Sequence, residues 1–271
     1  MAEQESPNAG DTADEVVTWS TDDRIQVVRM RRPPANALGL PIVEGLGRAL
    51  DAFDASDARV LVIVSELDGF FAAGADIKLM GGYVEQGDVA SFSAYGDRLR
   101  EPLSRLYGHE RPSIAAIEGL ALGGGMELAL ACTLRVGSTD ARLGLPESKI
   151  GLIPGAGGTQ RLPRLVGRAR ALDLMLTARE VAGPEAHALG LLDRLVEPGK
   201  AEAEAMELAR LLCTRSGAAL TQIMRCVDDA DDLPLHQGLA REAERVNTLF
   251  SGPEAREGLT AFIEKRRPDY A

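Results

Sequence analysis

Two glutamates, Glu127 and Glu147, are the side chains of this sequence best suited to acid–base chemistry. They stand 20 residues apart, and each follows a segment whose residue types predict a strand. If neighbouring strands bring the two carboxyls together, burial and mutual repulsion raise the pKa of one of them. The pair would then offer a protonated acid and an ionised base at neutral pH.

Two segments of very small residues supply candidate backbone donors. Gly123–Gly125 join a predicted strand to a predicted helix, where glycine leaves the amide N–H groups unobstructed. Ala72–Ala75 follow another predicted strand and allow a ligand to approach the backbone. Donors near Gly124 and Ala75 could polarise a carbonyl between them, and each such donor is worth ~2.7–4 kcal/mol at an oxyanion. With the two carboxylates, this set suits a reaction that passes through an enolate.

A third segment, Leu145–Arg161, is rich in glycine and resembles a nucleotide-binding loop without matching one. The G-x-G-x-x-G pattern that begins at Gly155 requires glycine at position 160, where the chain has Gln160. The Lys-Ser or Lys-Thr pair of a P-loop is also missing from this segment. We therefore exclude phosphate binding by this loop.

The hydrophobic pattern predicts the elements that must position these groups. The predicted strands are Val16–Ser20, Ile25–Met30, Val60–Val64, Pro112–Ile117, Leu134–Ser138 and Ala141–Leu145. The predicted helices are Pro41–Phe53, Val89–Tyr107, Met126–Cys132, Ala169–Leu176, Pro184–Gly190, Glu202–Leu212, Gly217–Cys226, His236–Phe250 and Pro253–Lys265. Strands that alternate with helices indicate the α/β class, whereas the strand pattern nearly vanishes after about Arg164. We expect a disordered acidic tail over 1–14, an α/β core over 15–200 and a helical assembly region over 201–271.

Composition and charge narrow the classes of function. The chain of 271 residues has 30 Lys and Arg against 41 Asp and Glu, a net charge of −11 that disfavours nucleic acid as a partner. The three cysteines and three histidines are widely spread, without disulfide or zinc spacing. No stretch reaches the ~18 apolar residues of a membrane span, and residues 1–14 lack the basic residues of a targeting signal. We expect a cytoplasmic protein with no metal and no membrane contact.

The segments around Ala72–Ile77, Gly119–Glu127 and Leu145–Leu162 resemble, in this order, the enoyl-CoA hydratase/isomerase (crotonase) family. Pro33–Leu38 also resemble an early substrate loop of that family, and the resemblance covers about 15–270. It implies a crotonase-type spiral of ββα units with a helical C-terminal trimerisation region. It further implies an acyl-CoA thioester substrate, no separate cofactor because coenzyme A is part of the substrate, and a homo-oligomer that is a trimer or a dimer of trimers.

The same resemblance assigns roles to individual residues. Ala75 and Gly124 match the two oxyanion-hole amides, while Glu127 and Glu147 match the carboxylates that hold the attacking water. The Glu147 equivalent delivers the proton to C2. The residues that match positions near the substrate or coenzyme A are Ala35, Ala73, Asp76, Ile77, Lys78, Gly155, Phe262 and Lys265. In the family, the last two belong to a tail that often comes from a neighbouring subunit.

The presence of both glutamates favours hydration of a trans-2-enoyl-CoA to a 3-hydroxyacyl-CoA. A Δ3-Δ2 enoyl-CoA isomerase or another acyl-CoA enzyme on this fold is the alternative, because isomerisation needs only one carboxylate. A non-enzymatic RNA binder is a third reading, which the net charge disfavours.

The sequence departs from the family at Pro34, where many members have a basic residue near the phosphates, and at Thr133, where Asp is common. We expect the floor of the acyl pocket within Leu79–Leu106 and near Leu152 and Ile153.

Overall fold

The computed structural model describes residues 15–270, so the predicted tail over 1–14 lies outside the described residues. Within this range the strands are β1 (Val17–Asp22), β2 (Ile25–Met30), β3 (Val60–Ser65), β4 (Phe70–Ala72), β5 (Ser113–Ile117), β6 (Leu120–Leu122), β7 (Leu134–Ser138), β8 (Arg142–Gly144), β9 (Val181–Ala182) and β10 (Arg194–Val196). The helices are α1 (Leu40–Ala55), α2 (Ile77–Gln86), α3 (Val89–Tyr107), α4 (Gly124–Ala131), α5 (Gly158–Val166), α6 (Arg168–Thr177), α7 (Gly183–Leu189), α8 (Ala201–Cys213), α9 (Gly217–Asp232), α10 (Leu235–Phe250) and α11 (Pro253–Glu264). A short 3-10 turn spans Glu147–Ile150.

The strands form two sheets, and the chain passes from one sheet to the other in successive units. The larger sheet has the order β1-β2-β3-β5-β7-β10, and the smaller has the order β4-β6-β8-β9. Strands β3, β5 and β7 each lie in the larger sheet, and the next strand along the chain, β4, β6 or β8, lies in the smaller one. Neighbours from β2 through β10 pair in parallel, whereas β1 pairs antiparallel with β2. The predicted α/β spiral of ββα units is confirmed.

The two faces of the larger sheet bury different apolar clusters. One face packs with α1, α3, α4 and the smaller sheet in the main core, which includes Phe53, Leu103 and Met126. The other face is covered by α8, whose Ala205 and Leu208 pack against strand residues of β3, β5 and β7. Helix α8 therefore packs against the sheet, although the predicted division of the chain would place it in the C-terminal part.

The remaining C-terminal helices are much more exposed. Neither α9 nor α10 has a buried residue, and Ala261 is the buried residue of α11. Among the helices of residues 15–270, none has the length and hydropathy needed to cross a membrane.

The helices and strands that were not predicted from the sequence are short or rich in glycine. Strands β9 and β10 lie beyond Arg164, where almost no strand was predicted, and they contain two and three residues. Such strands are too short to show an alternating pattern. Helices α2 and α5 were also missed; α5 begins at Gly158 and contains Pro163, so its sequence reads as a loop.

Candidate active site

A cleft of about 950 Å³ brings the three chemically informative segments together. Its walls come from α2, α3, the first turn of α4, the 3-10 turn and the loop that precedes α5. The polar and backbone-exposing residues on these walls include Ala73, Gly74, Ala75, Arg100, Gly123, Gly124, Glu127, Glu147, Lys149 and Gly155. Apolar side chains complete the cleft, among them Met80, Phe92, Leu99, Leu152 and Ile153. These five lie in the regions in which the sequence predicted the acyl pocket.

The backbone of Ala75 lies directly against the first residue of α4. A Cβ atom placed on Gly124 would lie 3.4 Å from the Ala75 nitrogen, and one placed on Gly74 would lie 3.7 Å from the Gly124 nitrogen. Neither amide, Ala75 or Gly124, donates a hydrogen bond to another of the described residues. The two N–H groups are therefore adjacent and free to donate to a ligand in the cleft.

A buried asparagine ties together the strands that support the Ala75 segment. Asn36 is fully buried, and its Nδ2 donates to the Ser65 hydroxyl over 2.8 Å and to the Phe71 carbonyl over 3.1 Å. The carbonyl of the next residue back, Ala35, accepts a hydrogen bond from the Ala73 amide at 2.9 Å. This network fixes the loop after β2 against the ends of β3 and β4.

A second network holds the residues on either side of Ala75. The Leu38 amide donates to the Gly74 carbonyl over 2.7 Å, and the Tyr95 hydroxyl donates to the Leu38 carbonyl over 2.7 Å. The same hydroxyl accepts from the Asp76 amide over 3.1 Å. The Asp76 carboxylate caps α2 by accepting from the Leu79 amide at 3.2 Å. Because its neighbours are hydrogen-bonded, the backbone of Ala75 is held in place at the cleft, and its own N–H has no partner among the described residues.

Glu127 is almost completely buried and is held by two backbone donors. Its side chain is 2% exposed, and Oε1 accepts from the Ala156 amide over 2.7 Å and from the Gly158 amide over 2.8 Å. Burial raises the pKa of this carboxyl, while the two amide bonds act against the shift because they favour the charged form. Glu127 is therefore the better candidate for the ionised member of the pair.

Glu147 lies opposite on the 3-10 turn, with less support from hydrogen bonds. Its Oε2 is buried and has no hydrogen-bond partner among the described residues. Burial is the main cause that raises the pKa of Glu147 to about 7, and the nearby charge of Glu127 adds to the increase. A Cβ atom on Gly123 would lie 2.9 Å from Glu147 Oε1, so glycine is needed there for the carboxyl to reach the α4 N-terminus.

The loop that holds Glu127 is itself fixed by Arg161, a residue to which the sequence analysis gave no role. Its guanidinium donates to the Ala156 carbonyl over 2.9 Å and lies over the Tyr107 ring, 4.7 Å from the ring centroid. Burial lowers the pKa of Arg161. Ala156 lies five residues before Arg161, in the loop that precedes α5, so this contact could have been anticipated only if the start of α5 had been predicted.

The structure separates the predicted substrate-binding residues into two groups. Ala73, Ile77 and Gly155 line the cleft together with the proposed oxyanion amides. The residues that do not line it within this chain are Ala35, Asp76, Lys78, Phe262 and Lys265. Asp76 instead pairs with Arg32 at 2.7 Å, and Phe262 is 84% exposed on α11.

Comparisons with known proteins identify the family of the chain. A model of the enoyl-CoA hydratase/isomerase family matches residues 20–271. The chain is 39% identical over 259 residues to a probable enoyl-CoA hydratase of Bacillus subtilis (strain 168), covering 94% of this chain and 98% of that protein. It is 38% identical over 240 residues to the mitochondrial methylglutaconyl-CoA hydratase of Mus musculus, covering 87% and 75%. The crystal structure of an enoyl-CoA hydratase from Bacillus anthracis superposes with a TM-score of 0.89 at 32% identity, covering 94% and 98%.

Proposed function

The chain belongs to the enoyl-CoA hydratase/isomerase family, and from this we propose that it adds water reversibly to a trans-2-enoyl-CoA to give a 3-hydroxyacyl-CoA. The main support is that one cleft contains two carboxyls in unlike surroundings and two unpaired amide N–H groups. Hydration of a conjugated thioester needs these groups: donors for the carbonyl, a base for water and an acid for C2.

In this proposal the thioester carbonyl lies between the N–H groups of Ala75 and Gly124. As water adds to C3, negative charge moves onto the carbonyl oxygen, and the two donors stabilise the resulting enolate. The N-terminus of α4 adds partial positive charge at the same point. Removing one such donor in other enzymes costs ~2.7–4 kcal/mol of transition-state stabilisation, so this pair is a major part of the rate enhancement.

The two glutamates share the proton transfers. The Glu127 carboxylate accepts a proton from water as the water oxygen bonds to C3, and the Glu147 carboxylic acid donates its proton to C2. The two N–H bonds that stabilise the charge of Glu127 support the role of base. The pKa of about 7 supports Glu147 as the acid near neutral pH. Proton exchange through water restores both groups after the product leaves.

We propose that coenzyme A approaches along Ala73, Ile77 and the neighbouring Ala35, Asp76 and Lys78, with no separate cofactor or metal. Phe262 and Lys265 would then reach the coenzyme from a neighbouring subunit.

The exposed apolar side chains of the last three helices support such an assembly, a homotrimer or a dimer of trimers, because large exposed apolar surfaces usually mark interfaces. They are Ile223, Val227, Leu235, Leu239, Val246, Phe250, Leu259, Phe262 and Ile263. The free state of Cys132, Cys213 and Cys226 is compatible with a cytoplasmic location.

The test is loss of the conjugated enoyl-thioester absorbance when purified protein is mixed with crotonyl-CoA. The wild-type protein should remove this absorbance, and Glu127→Gln or Glu147→Gln should each slow hydration by about 10²–10⁴-fold, the usual contribution of general acid–base catalysis. Glu207→Gln is the matched control, because Glu207 lies on α8 and pairs with Arg210 outside the cleft. An absorbance that the wild-type protein leaves unchanged, both with crotonyl-CoA and with trans-2-enoyl-CoA thioesters of other acyl groups, would refute the hydratase proposal.

The same variants separate hydration from isomerisation. An isomerase moves one proton between carbons, so a single carboxylate suffices. If one glutamine variant loses hydration and still converts a 3-enoyl-CoA to the 2-enoyl isomer at the wild-type rate, the result supports isomerase activity, for which a single carboxylate suffices.

A further inference from the structure

Two cationic side chains, Arg100 and Lys149, line the otherwise largely apolar cleft of the described residues. Lys149 lies on the exposed 3-10 turn, whereas Arg100 projects from the middle of α3. Its guanidinium donates to the carbonyl of Gly155, at a distance of 3.3 Å from Nη1. Gly155 itself lines the cleft beside the loop that holds Glu127.

The position of Arg100 on α3 is supported by a glycine one turn earlier. A Cβ atom on Gly96 would lie 3.1 Å from Nη1 and 3.5 Å from Nη2 of Arg100, so the guanidinium lies along the helix over Gly96. Asp97 holds the other side through a 2.5 Å ion pair with Nη2, and its side chain is 71% exposed against 46% for Arg100. The guanidinium is therefore held from the helix side, with Asp97 toward solvent.

Most of the hydrogen-bonding capacity of Arg100 remains unused. A guanidinium has five N–H donors, and within residues 15–270 one donates to Gly155 and one to Asp97. The other donors have no acceptor among these residues. Arg100 also lies close enough to Glu127 for its charge to lower the pKa of that carboxyl. Through Gly155, the residue before the Ala156 amide that donates to Glu127, the guanidinium is thus placed on the Glu127 side of the cleft.

We propose that Arg100 binds a carboxylate on the acyl group, so that the preferred substrate is the coenzyme A thioester of an unsaturated dicarboxylic acid. This inference rests on the proposed function and names the substrate class of the same site. A planar guanidinium matches a carboxylate with two parallel hydrogen bonds, whereas a hydrocarbon tail offers no acceptor and would displace water from the half-exposed side chain. The phosphates of coenzyme A do not fit, because the whole pantetheine arm separates them from the thioester.

The experiment compares substrates that differ in the distal carboxylate. The hydration kcat/KM is measured for trans-glutaconyl-CoA and for trans-2-pentenoyl-CoA, which has a methyl group in place of the carboxylate. In a second pair of substrates each acyl chain is one methylene longer, which tests whether the guanidinium lies farther from the thioester. The wild-type protein should prefer the carboxylate in at least one pair, and Arg100→Leu should reduce that ratio by about tenfold to a hundredfold, as expected for a lost charge-assisted hydrogen bond. Arg100→Lys should restore part of the preference.

Two further variants make the result specific. Arg98→Leu removes the same charge from the same helix, but Arg98 pairs with Glu44 outside the cleft, so the ratio should stay at the wild-type value. A ratio that is unchanged in Arg100→Leu, or that falls only in Lys149→Leu, would overturn the proposal. Using a ratio also cancels any general loss of activity from the broken bond to Gly155.

Binding of saturated analogues separates this inference from the hydratase proposal. Glutaryl-CoA and pentanoyl-CoA cannot be hydrated, so their relative affinities report on the carboxylate alone. If hydration fails but Arg100→Leu selectively weakens glutaryl-CoA, the recognition stands without the hydratase activity. If hydration proceeds and neither ratio depends on Arg100, only the recognition is refuted.

Discussion

All eight residues of α4 are buried, whereas none of the sixteen residues of α10 is. Helix α4 is apolar except for Glu127 and packs against α3, α5, β4 and β6. Helix α10 contacts α9 and α11 but leaves Leu239 54% and Phe250 72% exposed. The chain therefore completes the surroundings of the site helix by itself, while α10 leaves apolar side chains exposed on its surface.

This contrast has a direct consequence for catalysis. A helix packed on all sides cannot shift without opening cavities in the core, so its first-turn N–H and the Glu127 carboxyl are held in a fixed position. The C-terminal helices have no such constraint from within the chain. Changes near α4 should therefore alter the chemistry, and changes on α10 should alter assembly.

Apart from the changes to the two glutamates themselves, the largest effect that we predict on the α4 side is that of Gly123→Ala. Gly123 has φ of +51°, and a Cβ atom there would meet the Glu147 carboxyl at 2.9 Å. Displacing an acid by about 1 Å costs roughly 10²-fold, so kcat/KM for crotonyl-CoA should fall by about that factor.

Gly167→Ala is the control for backbone strain at Gly123. Gly167 has φ of +82° and ψ of 155°, which, like the φ of +51° and ψ of −125° of Gly123, is a combination that residues with a Cβ rarely adopt, but no atom lies within 4 Å of the added Cβ. Equal losses of kcat/KM in the two variants would show that strain alone, rather than displacement of Glu147, causes the effect.

A smaller effect is expected when Arg161 no longer fixes the loop that holds Glu127. In Arg161→Met the Ala156 carbonyl loses its partner, and the two N–H bonds to Glu127 become less well positioned. We expect kcat to fall by about tenfold, the value of roughly one hydrogen bond to a charged group. The acid limb of the pH profile should move to higher pH, because Glu127 loses stabilisation of its charged form.

The pH profile distinguishes a role of Arg161 in positioning Glu127 from a general loss of protein stability. Arg164→Met is the matched control on the same helix, since Arg164 pairs with Asp232 and lies outside the cleft. If both arginine variants lose activity without any change in the pH profile, Arg161 has only a structural role.

Substitutions on α10 should have the smallest effect on the active site and the clearest effect on assembly. Leu239→Asp combined with Phe250→Asp puts charge on its exposed apolar surface and should lower the mass measured by light scattering from that of the oligomer. Circular dichroism should remain that of a folded protein, because neither side chain contributes to the buried core. Val84→Asp on α2 is the control for charge on an exposed valine; an oligomer that persists in the double variant would contradict this role of α10.

The regular core could be predicted from the sequence, because its signals are local. The run Val60–Val64 is apolar at every position, which is typical of a strand buried on both faces, and β3 is such a strand. The helix predicted over Val89–Tyr107 matches α3. The two glutamates could also be identified, since each follows a predicted strand, Glu127 after a glycine turn and Glu147 after Pro146. Their approach in one cleft depends on the pairing of β6 with β8, which no local pattern specifies.

The features that could not be predicted depend on contacts between segments that are far apart in the sequence. Strand β4 has three residues and exists because β6 provides its partner. Arg100 lies within a helix, where its side chain is expected to be an ordinary solvated cation. Its place in the cleft follows from the approach of the Gly155 loop to α3. Sequence spacing gives no measure of such distances.

The most direct test of the central claim, that the two carboxyls work in opposite protonation states, is the pH dependence of kcat/KM for crotonyl-CoA. Glu147 acts protonated, so the rate should fall as pH rises through about 7. Glu127 acts ionised, so the rate should also fall at low pH, below its raised pKa. The residual activity of Glu147→Gln should lack the alkaline limb. A wild-type profile without a limb near neutral pH, or an alkaline limb that persists in Glu147→Gln, would contradict the account.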